Sequence, residues 1–143
     1  IVLVIVIEIV LVPHPCRSCS MAQQARFDHE KLDVYRLTID FVGWTGQLLD
    51  GLLKGTALSA VGHLDRASTS LALNLAEGNG KRSPRDRARY LVTARASALE
   101  SAACLDVLVA RRAVDGSAVD PGKGLLVRIV EMLTRLRSKV EAG

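Results

Sequence analysis

With 143 residues, 49% of them hydrophobic, and a formal net charge of +4, the chain fits one compact domain with a core of its own. That composition is not that of a disordered chain and gives no reason to expect a multidomain enzyme. Aromatic residues at 3% and only four prolines favour long helices over strands and turns.

Residues 1–12 are a β-branched apolar run, IVLVIVIEIVLV, followed by Pro13-His14-Pro15. The run is shorter than the roughly 20 residues a membrane-spanning helix needs, and it lacks a signal peptide's basic start and small-residue cleavage site. The protein proper is expected to begin at Met21, with residues 1–20 an extension from outside the native chain or a disordered one, and residues 21–143 the folded domain. Cys16 and Cys19 form one CxxC without a second pair, so no metal site is expected there. With Cys104 the cysteine count is odd, which fits a reducing cytoplasm better than a disulfide framework.

Helix one is predicted over about 29–54. Leu32, Tyr35, Ile39, Val42, Leu49 and Leu53 recur at helical spacing and make its core face. A second stripe, Val34, Leu37, Phe41, Trp44, Leu48 and Leu52, faces nearly the opposite way. A helix apolar on two sides is buried on two sides, so this stripe is the expected oligomer interface.

Helix two is predicted over 56–77, with Thr56 as its cap and Gly78 and Gly80 as the left-handed residues that end it. Ser83-Pro84-Arg85-Asp86 reads as a cap, a proline at the first helical position and an acid in the first turn. That is a strong start for helix three, about 84–112. Asp120-Pro121 repeats the punctuation ahead of helix four, about 121–141. There Leu126, Ile129, Val130, Leu133, Leu136 and Val140 share one side, and Glu131 and Arg135 are spaced to pair on the other. Four helices of similar length joined by short connections predict an all-α, antiparallel up-down-up-down four-helix bundle.

Along helix two, Ser59, His63, Arg66, Ser70, Asn74 and Glu77 form a polar stripe. The blocks Arg66-Ala67-Ser68, Ser70, Asn74, Ala76-Glu77-Gly78 and Gly80, followed by Ala94-Arg95, Ser97 and Glu100, resemble the four-helix-bundle family encoded by intervening sequences in bacterial 23S ribosomal RNA genes. The likeness extends from Phe27 to about Leu136 and departs at Ala96, where the family often has glycine. It implies a homo-oligomeric ring, commonly a homopentamer, without enzymatic activity or cofactor. Related bundles accompany the reverse transcriptase and RNA of diversity-generating retroelements, so a reverse transcriptase is an implied partner. Arg66, Ser70, Asn74, Glu77, Arg95, Ser97 and Glu100 are the expected polar network between helices or subunits.

Lys81, Arg82, Arg85, Arg87 and Arg89 against Asp86 concentrate positive charge at the start of helix three. Arg85 and Arg89 repel at four-residue spacing, and cations near a helix N-terminus oppose its dipole. A polyanion relieves both, so these five residues are the candidate RNA- or DNA-backbone contacts of a non-catalytic scaffold. The competing reading is a protein–protein adaptor whose basic rim only tunes solubility. Gly80-Lys81 is not a phosphate loop, since Leu75 replaces the first glycine and Arg82 the serine or threonine. His29 and His63 have no ligand spacing, no Glu-x-x-His pair suggests a di-metal bundle, and Cys104 reads as a buried structural thiol.

Overall fold

The computed structural model describes residues 26–52 and 59–142. The expected extension 1–20, its Cys16 and Cys19, and the predicted positions Leu53 and Thr56 lie outside them. The described residues form a 3-10 turn, Asp28–Lys31, and four helices: α1 (Asp33–Leu52), α2 (Ser59–Asn79), α3 (Pro84–Ala110) and α4 (Gly116–Ala142). There is no strand among them.

The helices pack in a closed sequence, α1 on α2, α2 on α3, α3 on α4 and α4 on α1. Phe41, Leu64, Leu71, Leu75, Leu105, Leu108, Ile129 and Leu133 are fully buried and bring all four helices into one core. Full burial of an apolar side chain of that size is worth about 1.5–3 kcal/mol, so the shared core, not helix propensity, holds the bundle. The α2–α3 contact is built from small residues, with Ala67, Ser68, Ala94, Ser97, Ala98 and Ser101 all buried.

Helix α1 turns a different face inward than its sequence predicts. Val34, Thr38, Phe41, Thr45 and Leu49 are buried, Ile39 is 45% exposed, and Leu32, Tyr35 and Val42 are half-buried. The stripe Val34, Leu37, Phe41, Trp44, Leu48 and Leu52, expected to meet another subunit, therefore lies in or against the chain's own core. Two threonines hid that face. Thr38 enters the core because its hydroxyl donates to the Val34 carbonyl at 2.8 Å, which removes the cost of burying it.

Two glycines act by closeness rather than by left-handed backbone. No glycine among the described residues has positive φ, which overturns the expectation for Gly78 and Gly80. Helix α2 runs through Gly78 to Asn79, and Gly78 is buried where a Cβ would stand 2.6 Å from Tyr90 Cβ of α3. On α4, a Cβ at Gly122 would run into the Trp44 ring of α1. The left-handed helix end belongs instead to Arg112, φ 58°, which closes α3 with bonds from Arg112 N to Val109 O and from Ala113 N to Leu108 O.

Helix α4 starts at Gly116, ahead of the predicted Asp120-Pro121 boundary. Pro121 costs the helix one hydrogen bond, and the extra turn persists because Val119 is buried and Gly122 fits beneath Trp44. The predicted core side of helix four holds: Leu126, Ile129 and Leu133 are buried, and Val130, Leu136 and Val140 pack against them. None of the described helices is long and apolar enough to cross a membrane.

Candidate nucleic-acid interface

The connection from α2 to α3 is fixed by a small cluster. Tyr90 fits against Gly78, and from there its hydroxyl donates to Glu77 Oε1 at 2.6 Å. Lys81 Nζ donates to the same oxygen at 3.0 Å and lies 4.9 Å from the centre of the Tyr90 ring. The hydrogen bonds from Tyr90 and then Lys81 hold the Glu77 carboxyl below its ordinary range. Glu77 and then Tyr90 hold the Lys81 ammonium above its own.

Ser83 caps α3 with extended backbone, accepting from Asp86 N at 3.4 Å, and Pro84 occupies the first turn. Arg87 reaches back across the turn, its Nη2 donating to Asn79 Oδ1 at 2.8 Å, while its Nε is buried without a partner among the described residues.

The five candidate cations therefore divide. Lys81 and Arg87 are engaged in holding the turn. Arg82, Arg85 and Arg89 are exposed, and among the described residues only Arg89 of the three forms an ion pair, with Asp86 at a loose 4.0 Å.

Two further cations join them that the sequence reading missed. The last turns of α4 run beside the first turns of α3, and a groove there is lined by Pro84, Arg85, Ala88, Arg89, Val92, Arg137, Val140 and Glu141. A neighbouring hollow is lined by Lys81, Arg82, Arg87, Leu136 and Lys139, among others. Arg137 Nε donates to Glu141 Oε1 at 2.8 Å, and Lys139 is exposed. Seven cations thus gather at one end of the fold against Glu77, Asp86, Glu141 and, in a hollow beside Lys139, Asp33. The only advance signal was the expected up-down order, under which the end of helix four would meet the start of helix three.

The seven-residue polar network separates into three parts. Between α2 and α3, the Ser70 and Ser97 hydroxyls are 3.0 Å apart, and Asn74 Nδ2 donates to Ser70 O at 2.8 Å and Ser70 Oγ at 3.1 Å. Glu77 belongs to the Tyr90 cluster. Glu100 lies 3.5 Å from His63 Nδ1, with both side chains about half exposed. Arg66 and Arg95 are exposed and form no ion pair among the described residues. Ala96 is exposed too, so no close helix contact within the chain depends on it.

Other chemistry is sparse. Burial, and then the neighbouring Glu100 carboxylate, push the Cys104 thiol up and away from the reactive thiolate. No group of three or more metal-ligating side chains occurs among the described residues.

A protein-family model described as 23S rRNA-intervening sequence protein matches residues 30–135. No curated protein matches the chain.

Proposed function

The chain belongs to the 23S rRNA-intervening sequence protein family, and from that premise we propose that it is a non-catalytic, homo-oligomeric scaffold whose basic end binds the backbone of RNA or DNA. The bundle is read as up-down-up-down. Supporting that order, Gly78 sits against Tyr90 and His63 against Glu100, Lys123 pairs with Asp106, and Trp44 covers Gly122.

One observation carries the nucleic-acid reading: cations from two helices, Arg82, Arg85 and Arg89 of the α3 start and Arg137 and Lys139 of the α4 end, flank the same end of the fold. For folding alone this is a poor arrangement, since Arg85 and Arg89 repel and oppose the α3 dipole. Phosphate oxygens reverse both effects, and guanidinium forks suit them geometrically.

The reading is of backbone contact, not base readout. Tyr90 is the one aromatic residue in the segment, and its hydroxyl and ring are already engaged by Glu77 and Lys81.

The test is binding of the full chain to labelled structured RNA across a salt series. Five phosphate contacts give a log–log slope between about −3.5 on single strands and about −4.5 on duplex, a loss of about 100- to 500-fold between 50 and 200 mM salt. Exchange of Arg82, Arg85 and Arg89 for glutamate is expected to abolish binding. Absence of binding at low salt, or binding indifferent to those exchanges, refutes the proposal.

A further inference from the structure

The groove between the first turns of α3 and the last turns of α4 is not lined by charge alone. Ala88 is buried in it, Val140 is half-buried and Val92 is 44% exposed, so apolar surface lies low in the groove. Arg85, Arg89 and Arg137 are exposed and stand along it. The groove holds about 420 Å³, within the range of sites that take a small molecule.

Contact with phosphates alone gives that floor no role. Ionised phosphate against valine loses water and gains no bond in return. A ligand that fits the whole groove carries an apolar part beside its negative charge.

The neighbouring hollow adds an order to these features. It shares Pro84 and Val140 with the groove and holds Arg82, Arg87 and Lys139 on its own side. The Nε of that Arg87 is buried without a partner among the described residues. Along the two hollows the lining therefore runs cations, apolar surface, cations. A nucleic-acid strand repeats in the same way: phosphate, sugar and base, phosphate.

We propose that the groove holds one unpaired nucleotide of a nucleic-acid strand, with its flanking phosphates on the arginines and its sugar and base against Val92 and Val140. The proposal rests on the nucleic-acid reading above and names the form of the ligand, a single strand and not a duplex.

In a duplex the base faces are stacked inside and the charged backbone is turned outward, so the floor would meet phosphate. An unpaired nucleotide can lay an apolar face on the floor while its phosphates stay with the cations. Glu141 already takes Arg137, at 2.8 Å. Arg85 forms no ion pair among the described residues and Arg89 only the loose one with Asp86, so these two are placed to receive phosphate. No aromatic ring lines the groove, so the base is held without being read. A helical peptide is a poorer fit, because it needs anchors spaced over two turns and the floor is one short apolar patch.

The test is binding of the full chain, at one fixed low salt concentration, to a labelled DNA single strand and to the duplex it forms with its complement. Charge alone favours the duplex, whose phosphates are denser. The groove site predicts the opposite order, with the single strand bound more tightly. Val92→Asn and Val140→Asn leave every charge in place and are each expected to weaken single-strand binding by about 3- to 10-fold, the worth of burying the remaining part of a valine side chain. Duplex binding is expected to stay unchanged in both. Val127→Asn, on α4 outside the groove, is expected to change neither. Circular dichroism shows whether each variant is folded, and Val92, being exposed, decides the matter if Val140→Asn does not fold. A duplex bound as tightly as the single strand, or a folded Val92→Asn that keeps wild-type affinity for the single strand, overturns the groove site and leaves the basic-end reading standing. Binding of neither ligand overturns both.

Discussion

Replacing Gly78 with alanine is expected to destabilise the bundle, while the same change at Gly43 is expected to stabilise it. Both glycines are in the middle or last turns of helices with ordinary helical backbone, so alanine should gain about 1 kcal/mol at either from propensity alone. At Gly43 nothing lies within 4 Å of the new Cβ, and the gain is kept. At Gly78 the new Cβ would stand 2.6 Å from Tyr90 Cβ, where carbon atoms pack comfortably at about 3.5–4.0 Å. Helices α2 and α3 must separate by roughly 1 Å along a contact made of small residues, an overpacking that costs about 1–3 kcal/mol. Separation also stretches the Tyr90–Glu77 hydrogen bond, which spans the same two helices. The net loss for Gly78→Ala reaches about 2 kcal/mol, which corresponds to a melting temperature lower by up to roughly 8 °C. Thermal melts followed by circular dichroism decide it. A Gly78→Ala variant that melts at or above the wild-type temperature refutes the close-approach account.

Thr45→Val should stabilise the protein by about 1 kcal/mol, because the Thr45 hydroxyl is buried without a partner among the described residues and a buried unsatisfied group costs about 1–3 kcal/mol. Thr38→Val removes a satisfied bond to Val34 O and should bring no such gain; equal effects in denaturant melts would contradict this account. Glu77 contributes through a depressed carboxyl pKa, so its stabilisation is present above its ordinary value of 4.5 and is lost as pH falls through the lower folded value. Glu77→Gln is therefore expected to shrink the drop in melting temperature between neutral and acid pH, and an unchanged drop would sink the claim. Lys81, whose pKa is raised above 10.5, acts at the other limb: its contribution is present below that value and fades as pH rises through the folded one.

Much of the fold was legible because helix punctuation is local chemistry. Ser83-Pro84 marks the start of α3 at the residue where the helix begins, and the inward side of α4 follows from its apolar spacing alone. The failures share a different cause. Thr38 and Thr45 look polar, but both are buried, Thr38 with its hydroxyl bonded to the preceding turn and Thr45 with none among the described residues, so the inward face of α1 was displaced from the one read. Gly78 looks like a helix end because glycine commonly serves that role, whereas its reason here is Tyr90, twelve residues away in sequence. Pro121 looks like a boundary because its tolerance inside α4 depends on Trp44. At the basic end, the α3 cations were legible as a charge cluster. Arg137 and Lys139 were not, since only packing brings the end of α4 beside them.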